Sequence, residues 1–189
     1  MSMGRSLVVV PSEKYLQTKR KSVFNRPYEQ ISQMDDFVPP VYEKSPEQIK
    51  KLIDILKNNF LTKNISQFEL KLLADAMQLK FFKRNDMIIR YGDVGNEYFI
   101  LDKGVIEIQV YRSGADPNDP ELPKKLDFSK FITTACGFGE IALLYNDKRT
   151  ASVRAADECM IWAIEGRVFK HIIIKSAIQR RNIELKFIE

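Results

Sequence analysis

The chain has 189 residues, of which 44% are hydrophobic and 29% are charged, a composition typical of one globular domain with short extensions. Its 30 basic and 25 acidic residues give a net charge of +5. Zinc sites need three or four cysteine or histidine ligands at short spacings, and Cys136, Cys159 and His171 do not supply them. No apolar run approaches the roughly 20 residues of a membrane-crossing helix.

The single histidine also bears on catalysis, since a Ser-His-Asp or Cys-His site would have to use His171. This residue falls in an apolar stretch with helical character, so we expect a partly exposed side chain beside an apolar face and no enzymatic role. Two cysteines without a signal peptide indicate a reducing compartment. We therefore expect a soluble, cytoplasmic protein with no metal, and with neither nucleic acid nor membrane as a partner.

The first 45 residues differ in charge pattern from the rest of the chain. Between Lys14 and Arg26 there are five basic residues and no acid, whereas between Glu29 and Glu43 there are four acids and no base. The segment has four prolines and no sustained periodicity, which predicts an extended segment over residues 1–45. The folded domain is expected over residues 46–189.

Two short helices are predicted at the start of this domain. Ser45 and Gln48 form the pattern of a capping box, with proline at the first helical position. Ser66 and Glu69 repeat that pattern. Apolar residues follow each box at helical spacing: Ile49, Leu52, Ile53, Leu56 and Phe60 after the first, and Leu70, Leu72, Leu73, Ala76 and Met77 after the second.

From Phe81 onwards the pattern changes to short strands with glycine turns. Strands are predicted at residues 87–89, 98–101, 105–110, 131–133, 152–154 and 159–164, and this spacing favours a sandwich, roll or barrel. Residues 113–123 contain three prolines and a glycine, which predicts a long exposed hairpin loop. Residues 166–189 return to a helical pattern.

Residues 137–153 carry the pattern most informative about chemistry. Glycines at 137 and 139 allow a close backbone approach, and a short helix beginning at Glu140 would present free amides to an anion. Arg149 would make charge-assisted bonds to a phosphate, and Glu140 would accept hydrogen bonds from a sugar hydroxyl. Phosphate and ribose together indicate a nucleotide. The spacing alone also fits a β-bulge with Arg149 on the surface.

The same segment, Phe-Gly-Glu-Ile-Ala-Leu followed by Arg-Thr-Ala-Ser-Val, resembles the phosphate-binding cassette of cyclic nucleotide-binding domains. Residues 89–104 look like the glycine-punctuated strand pair of that family, and residues 161–169 like the strand that leads into its C-terminal helices. The resemblance covers about residues 46–189. It implies an α+β fold, namely an eight-stranded β jelly roll flanked by N- and C-terminal helices.

The resemblance also implies roles for individual residues. Glu140 would bind the ribose 2′-hydroxyl, Arg149 the exocyclic phosphate oxygens, and Asp93 would orient Arg149 from behind. Lys148 departs from the proline that the family often has before the arginine. The remaining implied ligand-binding residues are Gly139, Ile141, Ala142, Leu143, Thr150 and Ala151. The implied ligand is cAMP or cGMP, with no cofactor.

Thr150 bears on the choice between the two ligands. In the family, alanine after the arginine accompanies a preference for cAMP, whereas threonine resembles cGMP-selective sites because its hydroxyl reaches the guanine amino group. One neutral hydrogen bond is worth only about 1 kcal/mol, so the ligand stays open.

The N-terminal segment indicates which members of the family are most similar. Lys19, Arg20 and Lys21 precede Ser22 and Val23, a pattern that basophilic kinases such as protein kinase A accept. In regulatory subunits of cAMP-dependent protein kinase, which this arrangement resembles, an inhibitor sequence of this type precedes the first nucleotide domain. The resemblance implies binding and inhibition of a catalytic subunit, with Ser22 as the phosphoacceptor. The alternatives are a solvated charge run and the autoinhibitory region of a cGMP-dependent protein kinase.

Overall fold

The computed structural model describes residues 37–145 and 148–175. In this part of the chain, helix α1 spans Pro46–Asn58, α2 Gln67–Ala76 and α3 Glu140–Tyr145, and α4 occupies residues 166–175. Strands β1 to β8 are Gln78–Phe82, Met87–Ile89, Glu97–Lys103, Ile106–Tyr111, Leu126–Ile132, Cys136–Phe138, Ala151–Ala155 and Cys159–Glu165. A 3-10 turn spans Leu122–Lys125. None of the helices described has the length and apolar character needed to cross a membrane.

The strands form two four-stranded antiparallel sheets, with orders β1-β8-β3-β6 and β2-β7-β4-β5. Strands far apart in the sequence are neighbours in both sheets, as a jelly roll requires. The predicted fold, an eight-stranded jelly roll with flanking helices, is thereby confirmed.

Strands β3 and β8 are buried on both faces. Phe99 and Leu101 face the second sheet, whereas Tyr98 and Ile100, which alternate with them, pack against the helices. This double burial explains why these two strands are continuous apolar runs, without the polar alternation of a sheet that faces solvent on one side.

Both predicted capping boxes are present. The Ser45 hydroxyl accepts the amide of Gln48 at 3.3 Å, and the Ser66 hydroxyl accepts the amide of Glu69 at the same distance. Leu52, Ile53 and Leu56 of α1 are buried in the helical core. Phe60 was predicted on the same stripe, but α1 ends before it and its side chain is 40% exposed.

The prediction of a partly exposed His171 is wrong. The side chain is buried, and its ring lies 4.7 Å from that of Phe37. Phe37 belongs to residues 37–45, which have no regular secondary structure but contact the domain: the amide of Tyr42 donates to the carbonyl of Asp75 at 3.0 Å. This contact between residues distant in the chain covers the histidine.

The loop over residues 113–123 joins β4 to β5 and is mostly exposed, as predicted, but one of its residues packs against the domain. Ala115 is buried, and its carbonyl accepts a hydrogen bond from the Tyr91 hydroxyl at 3.1 Å. Strand β5 also begins earlier than the predicted strand at 131–133, because it pairs with β4 from Leu126 onwards.

Candidate functional site

A cavity of about 1040 Å³ lies between the second sheet, helix α1 and the segment that contains α3. Its volume is at the upper end of the range for small-molecule sites. The walls combine inward-facing apolar residues of the strands with a few polar groups. Among the lining residues are Ile89, Ile108, Ile132, Phe138, Gly139, Glu140, Ile141, Ala142, Arg149, Thr150, Ala151 and Val153.

Arg149 is the buried cation of this cavity, with 7% of its surface exposed. Its guanidinium donates from Nη1 to the carbonyl oxygen of Gly139 and from Nη2 to that of Glu97, both at 2.7 Å. The guanidinium carbon also lies 5.8 Å from the centre of the Phe99 ring. The planar donor group is therefore held in one orientation by two main-chain acceptors and an aromatic face.

The main chain of Arg149 is held equally firmly. Its amide donates to the carbonyl of Asp93 at 2.7 Å, and its carbonyl accepts the amide of Gly92 at 2.9 Å. Burial lowers the pKa of Arg149, an effect opposed by the charges of Glu97, Glu140 and Asp93. Asp93 was expected to orient the arginine through its carboxylate. Its hydrogen bond to Arg149 instead runs through the main chain, and its carboxylate acts through longer-range attraction.

Glu140 is the buried anion of the cavity and the first residue of α3. Burial raises the pKa of its carboxyl, while a backbone hydrogen bond and the charge of Arg149 lower it. The charge of Glu140 also affects two neighbouring groups. Burial, and after it the charge of Glu140, raises the pKa of Cys136 to about 11. The same two causes raise the pKa of Tyr98. Tyr98 accepts a hydrogen bond from Asn59 at 3.1 Å. A buried carboxylate in this position can accept hydrogen bonds from donors on a ligand.

Two glycines allow these groups to approach each other. Gly139 has φ +86°, and a Cβ atom there would lie 2.8 Å from Nη1 of Arg149. A Cβ atom at Gly137 would lie 1.8 Å from the Tyr98 hydroxyl. Residue 139 therefore needs both the left-handed backbone and the missing side chain of glycine.

The structure brings most of the predicted ligand-binding residues to one cavity. Gly139, Glu140, Ile141, Ala142, Arg149, Thr150 and Ala151 all line it. Leu143 was also expected there, but it is buried in the helical core, where a Cβ atom at Gly166 would lie 2.4 Å from its Cδ2. Its side chain therefore belongs to the helical core and does not line the cavity. Residues 19–23 lie outside the described part of the chain.

Residues 79–176 match the cyclic nucleotide-binding domain family. This chain belongs to that family. The type II regulatory subunit of cAMP-dependent protein kinase from Drosophila melanogaster is 30% identical over 167 residues, which cover 88% of this chain and 41% of that protein.

Solved structures also resemble this cyclic nucleotide-binding domain. One described as "cAMP bound PfPKA-R (141-441)" has a TM-score of 0.64 and 28% identity, over 78% of this chain and 49% of that one. The cAMP complex of the regulatory domain of protein kinase A from Toxoplasma gondii has a TM-score of 0.60 and 29% identity, over 76% and 51%. The present chain thus spans less than half of the fly protein and about half of each solved chain.

Helix α1 forms a wall of the cavity that the sequence analysis missed. Its residues Glu47, Lys50, Lys51, Asp54, Ile55 and Asn58 line the space. Residues at spacings of three and four lie on one face of a helix, so the sequence predicts that these residues share a face. It does not predict which part of the protein that face contacts. Lys51 forms an ion pair with Asp102 at the end of β3, which ties α1 to the jelly roll of the cyclic nucleotide-binding domain.

Proposed function

We propose that this cyclic nucleotide-binding domain binds cAMP in the cavity beside α3, and that it belongs to the regulatory subunit of a protein kinase. The observation that carries the proposal is the burial of Arg149 and Glu140 in one cavity. A buried cation and a buried anion that line one cavity suit a ligand that presents both a phosphate and sugar hydroxyls.

The chemistry of binding follows from the groups available. A guanidinium has five N–H donors, and Arg149 gives two hydrogen bonds to carbonyl oxygens, which leaves three donors for phosphate oxygens. Glu140 accepts the ribose 2′-hydroxyl, and that bond favours the ionised carboxylate that burial disfavours. The wall around the cyclic phosphate is formed by Gly139, Ile141, Ala142 and Ala151. Thr150 lines the cavity directly after Arg149, the residue that would hold the phosphate.

The regulatory part of the proposal rests on the relatives and on the N-terminal segment. We assign residues 1–45 as an inhibitor and linker segment and residues 46–189 as the nucleotide domain with its helices. Lys19, Arg20, Lys21 and Val23 would place Ser22 in the active site of a cytoplasmic catalytic subunit. Nucleotide and catalytic subunit would then bind different conformations and weaken each other, by about 1 to 3 kcal/mol in typical allosteric systems.

Calorimetric titration with cAMP, cGMP, adenosine and guanosine tests the binding site. We expect saturable binding of at least cAMP and a large loss of affinity for both nucleosides, because they lack the phosphate that Arg149 would hold. Equal affinity for cAMP and adenosine would refute the role of Arg149, and no binding of any cyclic nucleotide would refute the proposal as a whole.

Inhibition of a free catalytic subunit of cAMP-dependent protein kinase tests the regulatory role. The full chain should inhibit peptide phosphorylation, and added cAMP should relieve the inhibition. The double variant Lys19→Ala/Arg20→Ala should lose inhibition, whereas Lys14→Ala/Arg26→Ala, which removes the same charge nearby, should retain it. Unchanged inhibition by the first variant would remove the inhibitor segment from the proposal.

A second candidate is the nucleotide-binding and autoinhibitory region of a cGMP-dependent protein kinase. Thr150, which lines the cavity directly after Arg149, favours it. A cGMP affinity well above the cAMP affinity, together with failure to bind a free catalytic subunit, would decide for this candidate.

A further inference from the structure

The loop between β4 and β5 packs on the turn between β2 and β3. The ring of Pro117 covers Gly92, where a Cβ atom would lie 2.2 Å from Cγ of the proline. The Tyr91 hydroxyl donates to the carbonyl of Ala115, and its ring lies 5.0 Å from that of Tyr111. Neither Pro117 nor Tyr91 lines the cavity. The loop therefore packs on this turn outside the cavity.

The supported turn is the one that holds the main chain of Arg149. Gly92 donates its amide to the Arg149 carbonyl, and Asp93 accepts the Arg149 amide. Gly92 has φ +84°, so the turn depends on a glycine whose open side the proline ring fills. The amide of Tyr91 also donates to the Ser152 hydroxyl on β7 at 3.0 Å. Contacts thus run continuously from the loop, through the turn, to the arginine.

We propose that Pro117 and Tyr91 are positioning residues for Arg149. The inference rests on the proposed binding of a cyclic nucleotide, and deepens it. The loop clamps the turn at residues 91–93, the turn fixes the backbone of Arg149, and the backbone sets where the guanidinium meets the phosphate. Ligand-binding groups must be held within about 0.5 Å of their working positions, so a loosened turn weakens phosphate binding without removing any group that touches the ligand.

This role predicts a ligand-specific effect. Loss of the contacts between the loop and the turn weakens the binding of ligands that contact Arg149, and it leaves the weak binding of nucleosides unchanged. A loop that merely contributes to stability would weaken both kinds of ligand equally, or neither of them.

The first experiment measures amide hydrogen exchange by NMR in the ligand-free chain, with Pro117→Ala and the matched control Pro120→Ala. Pro120 is an exposed proline of the same loop. We expect exchange at the amides of Gly92 and Arg149 to rise about 3- to 10-fold in Pro117→Ala only, relative to Ile161 in the central strand β8. Equal exchange in both variants, or a rise that is the same at Ile161, would overturn the proposal.

The second experiment measures affinity for cAMP and adenosine in the same variants and in Tyr91→Phe. We expect cAMP affinity to fall about 3- to 10-fold in Pro117→Ala and in Tyr91→Phe, with adenosine binding unchanged. In an Arg149→Ala background the effect of Pro117→Ala on cAMP should vanish, since the positioned group is gone. Additive losses would refute positioning. If the unaltered chain binds no cyclic nucleotide, the proposed function fails, and the exchange experiment alone decides whether the loop positions Arg149.

Discussion

Nη1 of Arg149 donates a hydrogen bond to the carbonyl oxygen of Gly139 at 2.7 Å. The two residues lie ten positions apart, and Gly139 directly precedes the buried carboxylate of Glu140. The hydrogen bond therefore ties the cation of the cavity to the segment that carries its anion. A guanidinium held in this way is already oriented, so little side-chain conformational entropy is lost when a phosphate binds to it.

Replacing Gly139 with alanine should separate backbone strain from interference with the arginine. Gly139→Ala places a Cβ 2.8 Å from Nη1 of Arg149, and its φ is +86°. Gly114→Ala is the matched control, since Gly114 has φ +81° but an added Cβ there would meet nothing within 4 Å. Chemical unfolding should show that the free energy of unfolding falls by about 1 kcal/mol or more in both variants, because alanine disfavours the left-handed backbone.

Only Gly139→Ala should also lose cAMP affinity, because only there does the new methyl group displace the guanidinium. Calorimetry on both variants checks this. Comparable losses of cAMP affinity in Gly139→Ala and Gly114→Ala would mean that strain, and not contact with Arg149, governs the site.

Arg149→Ala should reduce cAMP affinity by about 30-fold or more, because each lost hydrogen bond to a charged group is worth about 1.5 to 3 kcal/mol. Arg84→Ala removes the same charge from an exposed position and should bind cAMP as the unaltered chain does. Calorimetric titration of both variants gives the comparison. Near-normal cAMP affinity of Arg149→Ala would show that groups other than Arg149 bind the phosphate.

The stability of the ligand-free domain should depend on pH through Glu140. Burial raises the pKa of this carboxyl in the folded state above its unfolded value, so the folded chain holds more protons between the two pKa values. The contribution of Glu140 to stability is therefore fully present below the unfolded pKa and is lost as pH rises through the folded one.

Thermal unfolding of Glu140→Gln across pH 4 to pH 8 measures this contribution. The unfolding temperature of the variant minus that of the unaltered chain should increase as pH rises. A difference for Glu140→Gln that stays constant or decreases would contradict the assigned direction.

Thr150→Ala should lower the affinity for cGMP by about fivefold and leave the affinity for cAMP unchanged. The reason is one neutral hydrogen bond from the guanine amino group to the threonine hydroxyl, worth about 1 kcal/mol. The ratio of the two dissociation constants is the measurement. Thr134→Ala, another threonine of the cavity wall, should not change that ratio, and an unchanged ratio in Thr150→Ala would remove this residue from ligand selection.

Features encoded by neighbouring residues could be predicted from the sequence alone. The capping boxes at Ser45 and Ser66 formed as predicted because each joins groups three residues apart. The helix beginning at Glu140 and most strand positions also followed from local periodicity and glycine placement. The family's phosphate-binding cassette is a continuous run of residues, so the resemblance to it was enough to predict Glu140 and Arg149 as ligand-binding residues.

What the tertiary structure decided are contacts between residues far apart in the chain. Arg149 donates to the carbonyl of Glu97, 52 positions away, and Tyr91 to that of Ala115, 24 positions away. Phe37 covers His171, and Leu143 turns into the helical core instead of the cavity. Local patterns specify which face of a helix or strand is apolar, but which partner covers that face depends on how the two sheets and the helices pack together.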